Sequence, residues 1–542
     1  MQLKNSSSSP LLFFIFALGL SLPAFFINLG QLPFIDDESI RAMVAFEMLQ
    51  KNDFITPTVG GEIYLKKPPL FNWLVAGSFN VFNSYGEFPV RIPMILSLYL
   101  LTIAIFYYFK KEMTTELGII TALMFLTTGR IIMYESLYGL IDLTFSLLTF
   151  LFFMMIYRAF NEGKLLKLFI LAYVLTAISF LLKGLPSIVF LGISLLVLFI
   201  SHRKFKMLFF WQHYVGIALF VIIVGSYYVT YFMQNEVPLN DMVSVMFGET
   251  TRRTAIRFGF WNTVLHLFAF PFEMIFHFLP WTLLTLVLFT KGTIKKIKAS
   301  PFLTYLSLIL FFNSIVYWTS PEVYPRYILM LVPLYFGIIT YFYLEKKKEN
   351  HRFVKFIEVA FGILITLAAV GAIALFFIEI PGIKHLILIT SGLLVTLGIA
   401  AFFYWKQLQN RIYWLVIALL IMRIGFDLIA IPNRMYESDA VKGKETTIAI
   451  AEKSMGSPLY FWWNPEREVT SYYGKRLTTY WLLYYLSITR DEIIYTISER
   501  KPDAYYISPL WMVKNENVEI IEEFQPTGHE SPLVLFRFKE PI

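Results

Sequence analysis

The chain contains no cysteine, so it forms no disulfide and carries no thiolate metal site. Charge is scarce as well. Charged residues make up 15% of the 542 positions and hydrophobic ones 57%, whereas soluble domains carry about 25% charged residues. That deficit excludes a soluble globular enzyme and leaves a polytopic membrane protein. A net charge of +8 would suit nucleic acid, but the basic residues sit in short clusters between apolar runs, which excludes that partner. After residue 432 no nucleophile triad, glycine-rich phosphate loop or metal-ligand spacing stands out.

What is present is a succession of apolar runs. A membrane span needs about 20 mostly apolar residues, and about thirteen runs qualify. They lie at 11–30, 92–109, 117–134, 138–157, 165–182, 185–200, 213–233, 270–290, 302–319, 326–343, 353–377, 384–404 and 412–431. The first is long and lacks a small-x-small cleavage site, so it reads as an anchor and not as a signal peptide. Basic clusters occupy every second connection: Lys110-Lys111, Arg158 with Lys164, His202-Arg203-Lys204, Lys295-Lys296, Lys346-Lys347-Lys348, and Lys406 with Arg411. The positive-inside rule makes these loops cytoplasmic. The N-terminus is then cytoplasmic, and the long connections 31–91 and 234–269 and the tail after 432 are exoplasmic.

Two domains follow: a transmembrane domain over 1–432 and a C-terminal exoplasmic domain over 433–542. In the tail, Pro458–Trp463, Ala504–Ser508 and Leu533–Phe538 read as strands and Asp491–Glu499 as a helix. A tail of roughly 110 residues can hold a small α/β core of its own.

The first loop concentrates the chemistry. Asp36, Asp37 and Glu38 follow directly on the first span. Ile40, Met43, Val44 and Leu49 keep a helical period, which predicts an amphipathic helix lying along the membrane surface. Asp37 suits either its N-cap or a general base whose pKa is raised near lipid. Further on, Pro68-Pro69 fit the first turn of a second helix, LFNWLVAGSFNVF. Lys67 then lies at headgroup depth, either snorkelling or facing a phosphate. Arg91, just before the second span, is another candidate anion partner.

An acidic Asp-Glu pair after the first span, an E-M-L helix and then Y-x-x-K-P-P-L resemble the PMT-type membrane glycosyltransferases of the GT-C class, the aminoarabinose (lipid A) transferases among them. The match is sharpest over residues 36–70. The resemblance implies a polytopic α-helical GT-C fold with loop helices and a small C-terminal α/β domain. It makes Asp37, with Glu38 beside it, catalytic, and Lys67 a ligand of the donor phosphate. It places a second important acid at Asp142, where the alternative is a helix cap or a hydrated interface residue. The tyrosine of a P-x-Y element corresponds to Tyr327, which an aromatic belt would also explain; Arg326 is its neighbour. The family's arginine three residues after the Asp is Ile40 here, with Arg41 next in the chain. The acid before its lysine is Lys66 here, so the sugar stays unassigned.

Lys183, on the outer side against the charge bias, suits an anion. Asp36, Glu249, Arg252 and Arg253 are candidate substrate contacts with Arg91. His266 and His277 stand alone among aromatics and read as packing, and Thr250 occupies the place of a family histidine, so no metal site is expected; a divalent metal is not indicated and no cofactor is required.

The expected activity is inverting transfer of a pentosyl or hexosyl unit from a polyprenyl (undecaprenyl) phosphate donor to a lipid, glycan or protein acceptor, at the outer face of a bacterial-type cytoplasmic membrane. The partners are that donor, the acceptor and membrane lipids. A transporter or flippase of lipid-linked substrates is the alternative, since many spans and buried charges suit it too. No inverted repeat is evident.

Overall fold

A computed structural model describes residues 8–251, 259–464, 479–526 and 531–539. The chain divides into two compact units. The first comprises Met1–Leu29, Lys66–Pro68 and Pro93–Asn433; the second comprises Gly30–Leu65, Pro69–Ile92 and Arg434–Ile542.

The first helices in chain order are α1 (Ser8–Phe26), α2 (Asp36–Lys51), α3 (Leu70–Phe82), α4 (Glu87–Glu112), α5 (Thr115–Leu126), α6 (Asp142–Asn161), α7 (Leu165–Lys183), α8 (Pro186–Ser201) and α9 (Trp211–Gln234). In the first unit, every apolar run read from the sequence falls on helix. Among the described residues, 8 helices are long and apolar enough to cross a membrane. Among them are α4, α6, α7, α9 and the helices Pro301–Trp318, Arg352–Ala374 and Leu386–Lys406, while the stretch Pro10–Phe26 of α1, with α5 and α8, forms shorter apolar helices.

Several runs are broken in ways that matter for the site. Run 117–134 is helical only to Leu126 and resumes as a π turn at Ile131–Glu135. Gly129 lies between them, and its N–H donates to the carbonyl of Leu279 at 2.7 Å. A Cβ on Gly129 would stand 2.8 Å from that oxygen, so only glycine permits the approach. Run 326–343 opens as a 3-10 turn at Pro325–Ile328 before the helix Val332–Lys348. Pro325 and Pro333 lack the amide that a continuous helix would use. The connection 234–269 contains the helix Leu239–Thr251 and the start of the helix Phe260–His277.

The second unit joins the first loop to the tail. Strands β1 (Thr58–Val59) and β2 (Glu62–Ile63) form an antiparallel hairpin across Gly60 and Gly61. Both turn glycines have positive φ (+62 and +78), which a two-residue hairpin turn of this type demands. The tail forms a five-stranded sheet of β3 (Leu459–Trp462), β4 (Thr496–Ile497), β5 (Tyr505–Pro509), β6 (Val518–Phe524) and β7 (Leu533–Phe538), in the order β4-β3-β5-β7-β6. β3 pairs in parallel with β4 and β5, while β7 runs antiparallel to β5 and β6.

Two expectations are corrected here and one is extended. The stretch Asp491–Glu499 is not helical. Asp491, at φ +51, ends the helix Tyr480–Arg490, and Thr496–Ile497 pairs with β3. Ile493, Ile494, Thr496 and Ile497 are β-branched, which favours strand. Second, the small α/β sheet of the tail forms as expected and is joined by the first loop: α2 packs against the helix Tyr480–Arg490 and Phe34 meets Tyr484 and Tyr485. Residues 30–65 and 69–92 group with the tail in the second compact unit. Third, α2 forms but does not lie with one face outward. Ala42, Met43, Val44, Ala45, Phe46 and Met48 are all buried, and the small Ala42 and Ala45 let neighbours close in on several sides.

Candidate functional site

The second unit holds the acidic start of α2. Ile35 is the N-cap, at φ −92 and ψ 161, and Glu38 at the third helical position turns back toward the Ile35 amide, 3.5 Å away. Asp37 is therefore inside the first turn and is not the cap. It is exposed, in contrast to the buried residues that follow it, and its charge suits the positive end of the helix.

Glu38 is fully buried and engaged. Arg91 Nε donates to its Oε1 at 2.7 Å and Nη2 to its Oε2 at 3.1 Å. The same Nη2 donates to the carbonyl of Leu32 at 2.8 Å. Both side chains are completely shielded from solvent, so this pair acts as a structural pin beside Asp37. Arg41 is 7% exposed. Its Nη2 donates to Tyr64 Oη at 3.3 Å, while its Nη1 has no hydrogen-bond partner among the described residues.

Glu47, near the C-terminal end of α2, anchors the hairpin. Its carboxylate accepts bonds from Thr58 Oγ1 and from the amides of Gly60 and Gly61. Burial pushes its carboxyl up from the ordinary range, against the lowering effect of Thr58, Lys51 and the two glycine amides. The hairpin leads the chain into Lys66-Lys67-Pro68-Pro69, and α3 begins at Leu70 with Pro69 as its N-cap, as the proline pair predicted.

The first unit holds a second cluster. Asp142, at the first position of α6, is buried and receives Lys183 Nζ from the end of α7 at 2.5 Å. Arg326 Nε lies 3.4 Å from the other carboxylate oxygen. Lys183 Nζ stands 4.6 Å from the centre of the Tyr327 ring, and the Arg326 guanidinium 5.5 Å from the same ring. Two cations thus share one carboxylate and one aromatic face. Lys67 belongs to the same unit and is half-buried. Its neighbour Pro68 lies beside Gly184, where an added Cβ would stand 4.0 Å from Pro68 Cγ. The structure therefore brings Asp142, Lys183, Arg326 and Tyr327 together, and sets the Lys67-Pro68 step beside Gly184 at the end of α7. The basic clusters at Lys110 and Arg158 stand at the opposite ends of their helices.

Sequence reading missed three members of this region. Arg130 Nε donates to Glu135 Oε1 at 2.7 Å, at the end of the third apolar run. Burial raises the Glu135 carboxyl to about 7; Arg130 and Arg326 pull it down and Asp142 pushes it up. Arg423, within the last run, donates to Ser136 Oγ at 2.9 Å and to Asp427 Oδ2 at 2.9 Å, and also bonds the carbonyl of Ile132. It holds the turn that carries Glu135. A charged pair inside an apolar run was the available signal.

Asp36 and Glu249 lie on helices, but their side chains are outside the described residues, as are Arg252 and Arg253 altogether. His266 Nε2 lies 3.4 Å from the carbonyl of Tyr317 and its ring packs on Phe270.

Residues 66–228 match the family model described as dolichyl-phosphate-mannose-protein mannosyltransferase. Among solved structures, the chain is similar to ArnT from Cupriavidus metallidurans bound to undecaprenyl phosphate. That likeness has a TM-score of 0.69 at 14% identity, over 99% of this chain and 100% of that one. The apo state of the same enzyme matches with a TM-score of 0.68. An uncharacterized protein of Aquifex aeolicus is 25% identical over 266 residues, which are 48% of this chain and 52% of that protein. The match thus spans about half the length of that relative. A second Aquifex aeolicus protein, also uncharacterized, is 26% identical over 59% of this chain and 70% of its own length. The resemblance to PMT-type GT-C membrane glycosyltransferases therefore holds in the family model and in the fold.

Proposed function

We propose that the protein transfers a pentosyl or hexosyl unit from a polyprenyl-phosphate donor to a lipid, glycan or protein acceptor at the outer face of the cytoplasmic membrane. The observation that carries this reading is the convergence of Lys183 and Arg326 on Asp142 and Tyr327, with the Lys67-Pro68 step beside Gly184 at the end of α7, in a fold shared with an enzyme solved with undecaprenyl phosphate bound. The bond that breaks joins the anomeric carbon to a phosphate oxygen. Its electron pair leaves with the polyprenyl phosphate, and fixed cations stabilise the charge that develops there.

Lys67 is the first choice for that task, with Arg326 and Tyr327 as helpers. Arg41 contributes through its Nη1, which has no hydrogen-bond partner among the described residues. Asp142 holds Lys183 and Arg326 in place and limits their positive charge, so that the phosphate is bound yet can leave. Asp37 accepts the proton of an acceptor hydroxyl as its oxygen attacks the anomeric carbon, which inverts the configuration. For an acceptor that is already ionised, such as a phosphate, Asp37 orients it instead. This chemistry needs neither nucleotide nor cofactor. The alternation of basic clusters supports a cytoplasmic N-terminus with the site and the tail outside.

The test is mass spectrometry of lipid co-purified with the wild type and with Lys67→Ala. A polyprenyl phosphate, with or without its sugar, retained by the wild type and lost at least tenfold in the variant supports the reading. Equal retention of ordinary phospholipid by both contradicts it and favours a transporter.

A further inference from the structure

The tail does more than cover the first loop. Tyr485, on the helix Tyr480–Arg490, is 1% exposed. Its Oη accepts the amide proton of Phe34 at 3.1 Å and donates to Glu87 Oε1 at 2.7 Å. Lys444 Nζ, from the helix Asp439–Lys453, bonds the same Glu87 oxygen and stands 4.8 Å from the centre of the Tyr485 ring. One turn further along α4, Arg91 grips Glu38 twice and Leu32 once. The Phe34 ring meets Tyr484 edge-on at 5.1 Å, and the Arg91 guanidinium lies 5.9 Å from its centre. Tyr484 Oη in turn donates to the carbonyl of Tyr85 at 2.6 Å.

The backbone leading into α2 is thus held at Leu32, at Phe34 and through Glu38. Asp37 lies between the last two of these anchor points, with its own side chain exposed. Burial and the Glu87 carboxylate push the Tyr485 hydroxyl well above the usual phenol range, so it stays protonated and keeps donating. Every group in this network belongs to the second unit.

We infer that the tail is a clamp on the acidic loop, and that Tyr485 and Lys444 are positioning residues that fix the backbone from which Asp37 projects. In its catalytic consequence this inference rests on the reading of Asp37 given above. Tyr485→Phe removes both Oη bonds and keeps the ring packing. Lys444→Met removes the second support of Glu87 and leaves Tyr485 in place.

The experiment combines two measurements on the full-length protein. Hydrogen exchange over residues 31–40 reports the loop directly. Steady-state transfer from a panel of undecaprenyl-phosphate-linked pentoses and hexoses reports its consequence. Tyr485→Phe is expected to speed exchange locally at 33–38, with β3 to β7 still protected. Its kcat should fall on the order of 10²-fold, the effect of a small misplacement of a reacting group, while the donor KM stays unchanged. Lys444→Met should show the same pattern in weaker form.

Wild-type exchange and kcat in Tyr485→Phe would overturn the clamp. So would faster exchange spread evenly over the tail, with Lys444→Met silent, since that marks a structural bond only. If the wild type transfers no sugar from any donor in the panel, the functional reading fails. The exchange arm then still decides whether Tyr485 holds the loop.

Discussion

The starts of α2 and α6 treat their carboxylates in opposite ways. At α2 the charge of Glu38 is cancelled by Arg91 inside the protein, and the adjacent Asp37 is left at the surface. At α6 the acid itself is buried, and Lys183 and Arg326 converge on it. A carboxylate that must accept a proton needs access to the acceptor, which the exposed position of Asp37 would allow. A carboxylate that arranges cations needs contact with them, which Asp142 has. The contrast fits the proposed division, in which Asp37 acts as base and Asp142 orders Lys183 and Arg326.

Removing the charge at each position tests this division. Glu38→Gln leaves Arg91 charged, buried and without its counter-ion, and should cost about 3–5 kcal/mol of stability. Asp37→Asn, one residue away, should leave the melting temperature within a degree or two of the wild type. A large loss in Asp37→Asn, read by thermal denaturation in detergent, would break the comparison.

Asp142→Asn should fall between these two. Lys183 and Arg326 are each about 10% exposed, so water relieves part of their unpaired charge. A loss of about 2 kcal/mol is expected, the scale of an unsatisfied buried group. Affinity for undecaprenyl phosphate should change with it, measured by retained lipid, because the two cations lose their anchor. Unchanged lipid affinity would make Asp142 a purely structural residue.

The smallest effect concerns Glu135. Its carboxyl is raised from the ordinary 4.5 to about 7 in the folded protein. A raised acid binds its proton more tightly when folded, so its contribution is fully present below the ordinary value and is lost as pH rises through about 7. Glu47 acts in the same direction. The melting temperature should therefore decline between pH 5 and pH 8, and Glu135→Gln should flatten that decline. An identical pH profile in the variant would remove Glu135 from the account.

The apolar runs made most of the first unit legible, because a helix in lipid must satisfy its own backbone. The breaks within them were less so. Gly129 is one glycine among many until its contact with the carbonyl of Leu279 is seen. The start of α3 was readable from Pro68-Pro69 because proline acts locally. Lys183 could be marked from sequence because it violates the charge bias, and Asp142 from its place at the end of a run.

Pairings distant in the chain left no such trace. Arg91 is 53 residues from Glu38, and Tyr485 is 451 from Phe34. For the same reason the packing of α2 and Phe34 against the tail was not legible. Its Asp491–Glu499 segment was misassigned because a short run of isoleucines among charges fits a helical period as easily as a buried strand.

The central claim is that Asp37 drives sugar transfer from a lipid-phosphate donor. The most direct measurement is the fate of that donor, followed by mass spectrometry of the lipid bound to the wild type and to Asp37→Asn after acceptor is added. The account predicts that the wild type converts the polyprenyl-phosphate sugar to polyprenyl phosphate. Asp37→Asn should hold it intact, with transfer slowed on the order of 10²–10⁴-fold. Release of polyprenyl phosphate by Asp37→Asn at the wild-type rate would contradict it.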